Sequence, residues 1–300
     1  MVYHVEPLTK DRKYLVTGAS GYVGGRLVRN LLNEDLSVRV LVRDKNKIAG
    51  QPWVNHVEIV EGNANSQSDL IAALTGVHTA FYLLHSINLG KNFDDIEAVM
   101  ARGFAQAAQA AGISQIVYLG GIANDQKSSQ HLASRVQTGA ELASGTVPVL
   151  ELRAGIIIGS GSASFEMLRH LTHRLPIMTT PKWVSNLTHP IAIRDVLHYL
   201  RGTALLETPV NKVFDIGGPE ILSYADMMQK FAKLSGLPRR WIIKVPVLTP
   251  ELSSLWIGLV TPVPTALARP LVGSLINEVV ADPKKSINDL IPPPPEGLLN

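Results

Sequence analysis

The chain has 300 residues, of which 46% are hydrophobic and 18% charged, and its formal net charge is +3. This length is enough for one or two domains with a well-packed core. The absence of cysteine excludes disulfides, thiolate catalysis and cysteine-ligated metals. The nine histidines lack the paired spacings of zinc sites, so we predict no metal. No run of basic residues indicates a nucleic-acid partner. The first eleven residues contain no apolar signal core, so we expect a cytoplasmic protein.

Short apolar segments alternate with stretches of helical periodicity along the first half of the chain. The predicted strands are residues 14–17, 37–42, 57–60, 80–84, 116–119 and 149–152, and the predicted helices between them include 23–32, 70–74 and 94–111. Nearly continuous apolar strands separated by helices are typical of a parallel sheet that is covered on both faces. The sequence therefore predicts an α/β fold built on a doubly wound parallel Rossmann sheet.

The second half of the chain departs from this alternation. It carries predicted helices at 165–175, 195–206 and 224–235, one further strand at 213–216, and many prolines. We expect a Rossmann domain over residues 12–160, with its sheet completed by about 190–217. Residues 161–189 and 218–290 are expected to form a small, mainly helical C-terminal cap domain.

A glycine-rich turn follows the first predicted strand and opens the first predicted helix. Its sequence is Gly18-Ala19-Ser20-Gly21-Tyr22-Val23-Gly24. The first two glycines allow backbone N–H groups to approach a pyrophosphate, and the third allows the helix to pack against the sheet. The helix N-terminus attracts the anion. Because the turn joins a strand to a helix, it indicates a dinucleotide site rather than a tight turn without a ligand.

The end of the second predicted strand bears on the choice between NAD(H) and NADP(H). NAD-binding proteins place an acidic residue there to accept a hydrogen bond from the ribose 2′-hydroxyl. Here Arg43 follows the strand, and its guanidinium can pair with a 2′-phosphate and stack on adenine. Asp44 is the competing residue, but strand alternation directs it to the opposite face. We therefore expect NADP(H), with NAD(H) as the less favoured cofactor; a solvated charge at the strand end is the alternative for Arg43.

With the glycine turn, Arg43 and the later Val117-Tyr118-Leu119-Gly120-Gly121, the chain resembles atypical short-chain dehydrogenases/reductases. It is most similar to their NmrA-like or YbjT-like branch (nucleoside-diphosphate-sugar epimerase-like), over residues 12–280. Segments 151–159, 190–196 and 215–219 match further signatures of that branch. The resemblance implies additional cofactor contacts from Asn63, Ala64, Leu83, Leu84, His85, Gly120, Gly121, Ala154 and Ile157. Asn63 stands where the family has aspartate, and an amide can also hydrogen-bond adenine.

The catalytic pair of the superfamily is missing. Its reductases carry Tyr-x-x-x-Lys on the helix after the fifth strand, and the lysine lowers the pKa of the tyrosine. No tyrosine in this chain has a lysine four residues later. The corresponding helix instead offers His131 and Arg135 at the same spacing, and a histidine could serve as acid or base. The alternative is that both are exposed charges on a helix face. His85 and His189 are weaker candidates, each better explained as a hydrogen-bonded loop histidine.

Two functions from different classes remain open. The first is an NADP(H)-dependent oxidoreductase that acts on a small carbonyl or enone-like substrate, with His131 or water as the proton source. The second is a non-catalytic NADP(H)-binding redox sensor or assembly protein, as in NmrA or a related complex I subunit. An enzyme needs a cavity beside the hydride, whereas a sensor can close it with apolar side chains. The sequence identifies neither the substrate nor the oligomeric state.

The apolar segment 252–276 is a separate feature. Its first part, 252–268, has no charged residue, but two prolines argue against a membrane-spanning helix. Burial in the core of the cap is the first expectation for most of its side chains. The alternatives are a partner-docking surface, a dimer interface or contact with a membrane surface.

Overall fold

The computed structural model describes residues 11–85, 93–123, 129–245, 261, 271–273 and 275–295. The α-helices are α1 (Tyr22–Leu32), α2 (Gln67–Leu74), α3 (Phe93–Ala111), α4 (Gln130–Leu142), α5 (Ala163–Arg174), α6 (Ile193–Ala204) and α7 (Tyr224–Leu234). The strands are β1 (Lys13–Thr17), β2 (Ser37–Val42), β3 (Glu58–Glu61), β4 (Thr79–Tyr82), β5 (Gln115–Gly121), β6 (Val149–Ala154), β7 (Ile157–Ile158), β8 (Ile177–Thr180), β9 (Leu187–Thr188), β10 (Ile191–Ala192), β11 (Lys212–Ile216), β12 (Leu222–Ser223) and β13 (Trp241–Lys244).

Seven of these strands form one parallel sheet in the order β11-β6-β5-β4-β1-β2-β3. The order reverses between β1 and β4, since the chain builds outward in one direction from β1 to β3 and in the other from β4 onward. This is the strand order of a doubly wound Rossmann fold. The fold class predicted from the sequence is confirmed.

The sheet buries apolar side chains on both of its faces. On one face Val16 of β1 packs with Leu27 of α1 and Leu200 of α6. On the other face Leu15 packs in a second cluster with Phe104 of α3. Neighbouring residues of β1 thus enter opposite cores, as the two-residue period of a strand requires. The helices cover both faces of the sheet and leave the carboxyl ends of its strands accessible.

The sequence located most elements but misplaced the ends of several strands. β5 and β6 run to Gly121 and Ala154, beyond the predicted ends at 119 and 152, because Gly120 and Gly121 pair with residues of β6. The predicted strand 80–84 is too long, since β4 ends at Tyr82. Past that point the backbone N–H of Leu83 donates to the hydroxyl of Thr17 at 3.1 Å instead of to a strand. Leu83 and Leu84 therefore lie in the loop that follows β4.

The region after β6 contains α5 and α7 together with small two-stranded sheets that the sequence did not predict. These sheets pair β7 with β10, β9 with β12 and β8 with β13. Met167 of α5 and Met228 of α7 share a buried cluster there, which Val272 and Leu275 of the apolar segment 252–276 complete. Residues 252–260, 262–270 and 274 of that segment lie outside the described residues. Among the helices that are described, none has the length and apolar character to cross a membrane. The proposed domain boundaries stay a prediction.

Candidate functional site

A cavity of about 640 Å³ opens at the carboxyl edge of the sheet, where the strand order reverses. Its walls come from the turn after β1, the ends of β2, β4, β5 and β6, helix α4 and the region after β6. In open α/β sheets this crevice is where ligands bind. The volume lies within the usual range for small-molecule and cofactor sites, about 300–1,000 Å³.

The glycine turn is held tightly against its surroundings. Gly18 has φ +69°, and a Cβ added there would lie 2.5 Å from the carbonyl oxygen of Leu83. A Cβ on Gly24 would lie 2.3 Å from the carbonyl oxygen of Gly18. Both positions therefore require glycine. The turn brings the start of α1 to the cavity wall, and no side chain caps that first helical turn. Uncapped N–H groups at a helix N-terminus fit an anion such as a dinucleotide phosphate.

The structure places nearly all of the predicted cofactor contacts around the cavity. Those that line it are Gly18, Ser20, Gly21, Tyr22, Val23, Gly24, Arg43, Asn63, Ala64, Leu83, Leu84, His85, Gly120, Gly121, Ala154 and Ile157. Ala19 is the exception: it is 1% exposed and packs into the core beneath the turn. Ala19 can contribute backbone geometry to the turn, whereas its side chain serves the core. The roles assigned to the lining residues stay predictions.

Arg43 and Asp44 are separated as strand alternation predicts. Arg43 lines the cavity and is exposed. The carboxylate of Asp44 instead accepts from the backbone N–H of Asn46 at 2.9 Å and caps a short 3₁₀ helix, Lys45–Ile48. A carboxylate that is engaged in this way and lies outside the cavity wall is not placed to accept from a ribose hydroxyl. Arg43 is therefore the charged side chain that lines the cavity at the end of β2.

His131 and Arg135 both line the cavity. The expectation of two exposed helix-face charges is wrong for His131, because it is partly buried with its ring centroid 5.0 Å from that of His85. Burial, His85 and Arg135 lower the pKa of His131 to about 3, although Glu97 opposes the shift. At neutral pH this imidazole is uncharged. The guanidinium of Arg135 donates to the carbonyl oxygen of Leu119 at the end of β5.

His85 is joined to a buried carboxylate that the sequence analysis missed. Its Nδ1 lies 2.8 Å from Oε1 of Glu97, and the hydroxyl of Ser134 donates to Oε2 of the same carboxylate at 2.6 Å. Glu97 is 5% exposed. One pattern could have revealed it: Glu97, Ala101, Phe104 and Ala108 share the buried face of α3 at helical spacing. A carboxylate on an apolar stripe needs a buried partner.

His189 forms a hydrogen bond within a loop. Its Nε2 lies 2.7 Å from the carbonyl oxygen of Gly218, in a loop beside β10. This is the hydrogen-bonded loop histidine that the sequence analysis favoured. His189 does not line the cavity.

The wall of the cavity beyond the sheet is mostly apolar. Met167, Trp183, Leu187, Leu275 and Val279 contribute to it. Tyr224 also lines this part, and burial raises its pKa, so its phenol stays protonated. Among the described lining residues the fully charged side chains are Arg43 and Arg135 alone. Both belong to the sheet side of the cavity, so the far part has no described charge to pair with an ionic ligand.

Much of the chain matches known proteins. Residues 18–143 match a family model described as NAD(P)H-binding. The Photosystem II assembly factor Ycf39 of Cyanophora paradoxa is 26% identical over 249 residues, which cover 80% of this chain and 73% of that protein. The match of residues 18–143 to an NAD(P)H-binding family model confirms the predicted nicotinamide cofactor at that level.

Solved structures share the fold along almost the whole chain. The triphenylmethane reductase of a Citrobacter species, complexed with NADP(H), superimposes with a TM-score of 0.73 at 19% identity, covering 95% of this chain and 97% of that one. The NADPH-dependent quinone oxidoreductase of Escherichia coli, complexed with NADPH, gives a TM-score of 0.70 at 20% identity, covering 94% and 95%. At these identities the likeness establishes the architecture.

Proposed function

We propose that this protein is an NADP(H)-dependent reductase of a small, uncharged and largely apolar carbonyl compound. The observation that carries the proposal is the continuity of the cavity. It runs from the glycine turn past Gly120 and Gly121 to the apolar wall formed by Met167 and Trp183. A protein that only sensed the cofactor could fill that far space with side chains. An enzyme needs it for a substrate.

The charge pattern supports this substrate class over a nucleotide sugar. A diphosphate-linked substrate requires cationic partners, because buried anions need compensation. In the described part of the cavity wall the two arginines stand on the cofactor side, and the far side is apolar. Two of the structural neighbours are named as a triphenylmethane reductase and a quinone oxidoreductase. Menadione, phenanthrenequinone and nitrobenzaldehyde are therefore suitable first probes of NADPH oxidation, with a nucleotide sugar as the contrasting compound.

Arg43 supports NADP(H) as the cofactor, and its replacement gives the first test. We expect Arg43→Ala to weaken NADPH binding about 10- to 100-fold while leaving NADH binding nearly unchanged. A hydrogen bond to a charged group contributes about 1.5–3 kcal/mol, and only NADPH carries the 2′-phosphate. The measurement is a fluorescence titration of wild type and variant with NADPH, NADP⁺, NADH and NAD⁺.

Lys45→Ala is the matched control for this titration. Lys45 lies two residues away, carries the same charge and does not line the cavity. Its loss should leave the preference for NADPH in place. Equal weakening of NADPH and NADH by Arg43→Ala would remove Arg43 from its proposed role. Failure of all four nucleotides to bind the wild type would contradict the proposed function itself.

A non-catalytic assembly role is the second candidate. It is supported by the relative that is named as a Photosystem II assembly factor and that matches 80% of this chain. The absence of the Tyr-x-x-x-Lys pair from the sequence also supports a non-catalytic role. The two candidates differ in one measurement: an assembly protein binds NADPH without oxidising it in the presence of any of the carbonyl probes.

A further inference from the structure

We propose that His85 exchanges the proton that accompanies hydride transfer, with Glu97 as its positioning residue. This inference rests on the proposed reductase function and assigns the proton-transfer step that the missing Tyr-x-x-x-Lys pair leaves open. His85 lies in the loop after β4 and lines the cavity together with Gly120 and Gly121. Its side chain is 26% exposed, while that of Glu97 is 6% exposed. The imidazole therefore faces the cavity with a buried carboxylate behind it.

The hydrogen bonds fix which nitrogen can react. Nδ1 of His85 lies 2.8 Å from Oε1 of Glu97, and the hydroxyl of Ser134 donates to Oε2 of the same carboxylate at 2.6 Å. An ionised carboxylate only accepts hydrogen bonds, so Nδ1 of His85 must be the donor in this pair. Nδ1 of His85 therefore carries a proton in either ionisation state. No described residue hydrogen-bonds to Nε2, so Nε2 gains and loses the proton at the cavity. A base that is held by a third group through its other nitrogen is the recurring geometry of histidine acid–base catalysis.

His131 is the competing proton donor, and its surroundings argue against it. Protonating His131 would place a cation beside Arg135 in a buried site, which is why its pKa lies at about 3. Glu97 contacts His85 directly but only opposes the shift of His131 at longer range. The carboxylate thus favours a positive charge on His85 over one on His131.

The charged groups around His85 set the direction of its pH response. Among the described residues the charged groups are Glu97 on α3 and Arg135 on α4, and His131 on α4 is the titratable but uncharged neighbour. Burial lowers the pKa of His85, the hydrogen bond to Glu97 raises it, and Arg135 lowers it. The net direction is downward from the ordinary value. Protonated His85 is therefore a minor form at neutral pH, and we expect reduction to become faster as the pH falls towards the pKa of His85.

The carbonyl carbon gains a hydride with its electron pair from NADPH, which is oxidised to NADP⁺. The carbonyl oxygen becomes a hydroxyl by taking the proton from Nε2 of protonated His85. This leaves neutral His85 with its Nδ1–H still donated to Glu97, and solvent returns one proton to Nε2. In the oxidation direction neutral Nε2 accepts the hydroxyl proton as a general base.

The first test is kinetic, with the full chain, NADPH and whichever of menadione, phenanthrenequinone or nitrobenzaldehyde is reduced. We expect His85→Gln to lower kcat about 10²- to 10⁴-fold while the variant still binds NADPH. Glu97→Gln should lower kcat less and shift the pH profile to lower pH, because it removes the charge that raises the pKa of His85. His56→Gln, at an exposed position away from the cavity, is the control.

The second test does not depend on turnover. NMR of the protein with nitrogen-labelled histidine reports the tautomer and the pKa of each imidazole. We expect neutral His85 to carry its proton on Nδ1, and the pKa of His85 to fall in Glu97→Gln. Neutral His85 protonated on Nε2 would overturn the proposal. Unchanged kcat in His85→Gln would also overturn it, although NADPH-dependent reduction by that variant would leave the proposed function standing. NADPH binding without any turnover would contradict the reductase and the proton donor together.

Discussion

Replacement of Gly18 by alanine is expected to lower NADPH affinity about 10- to 150-fold and to destabilise the protein by about 2–5 kcal/mol. Two effects add. Gly18 has φ +69°, and an L-residue in that conformation costs about 1–2 kcal/mol. Its Cβ would also lie 2.5 Å from the carbonyl oxygen of Leu83, and overpacking typically costs about 1–3 kcal/mol. The backbone must move to relieve this contact. The N–H groups that face the phosphate would move with it, and each hydrogen bond to a charged group is worth about 1.5–3 kcal/mol.

Gly76→Ala separates these two effects. Gly76 has φ +74°, but a Cβ there would meet no atom within 4 Å. This variant should lose about 1–2 kcal/mol of stability from the backbone alone and keep its NADPH affinity. Urea unfolding and fluorescence titration of both variants make the comparison. If Gly18→Ala is no less stable than Gly76→Ala and binds NADPH as the wild type does, the close approach of the turn to Leu83 has no functional role.

Local pattern in the sequence was enough to predict the glycine turn and the position of Arg43. The glycine turn was predictable because a strand, a tight turn and a helix are adjacent in the chain, and their spacing carries the geometry. Gly18 and Gly24 have the close contacts that the motif implies. Arg43 was predictable for the same reason, since strand alternation fixes which of two neighbouring side chains faces the cavity. Asp44, the other neighbour, caps a helix.

The features that sequence analysis missed depend on contacts between distant segments. His85, Glu97 and Ser134 come from a loop and two helices, and no local spacing links them. Glu97 was not among the residues that the sequence analysis singled out. Its burial follows from the packing of α3 against α2 and α4. The small sheets after β6 were missed because strands of two to four residues are too short to show a period.

The same packing bears on His131 and Arg135, the catalytic candidates from the sequence, whose roles stay a prediction. The spacing of His131 and Arg135 correctly placed both side chains at the cavity. Spacing says nothing about desolvation, however, and desolvation is the largest influence on the pKa of His131. Burial thus keeps His131 uncharged at neutral pH. The carboxylate of Glu97, which could stabilise a protonated imidazole, contacts His85 instead. Assignment of the proton donor depends on this difference in environment.

The burial of His131 also predicts a large acid sensitivity of the fold. The pKa of His131 is about 3 in the folded protein, against 6.5 for a solvent-exposed histidine such as that of the unfolded chain. Because the folded pKa is the lower one, the unfolded chain binds more protons between these values, and stability is lost as the pH falls from about 6.5 towards 3. Each unit of pKa difference corresponds to about 1.36 kcal/mol. Protonation of His131 should therefore lower the free energy of unfolding by about 2 kcal/mol at pH 5 and by about 4–5 kcal/mol at pH 3, relative to neutral pH.

His131→Leu should remove this share of the acid sensitivity. Leucine is uncharged at every pH and replaces a buried Nδ1 that has no partner among the described residues, so the variant should be at least as stable as the wild type at pH 7. By pH 5 it should be more stable by about 2 kcal/mol, as measured by urea unfolding at a series of pH values. His56→Leu, at an exposed position, should follow the wild-type curve. Parallel curves for His131→Leu and the wild type would mean that His131 is solvated enough to titrate normally. That result would restore His131 as a proton donor at neutral pH.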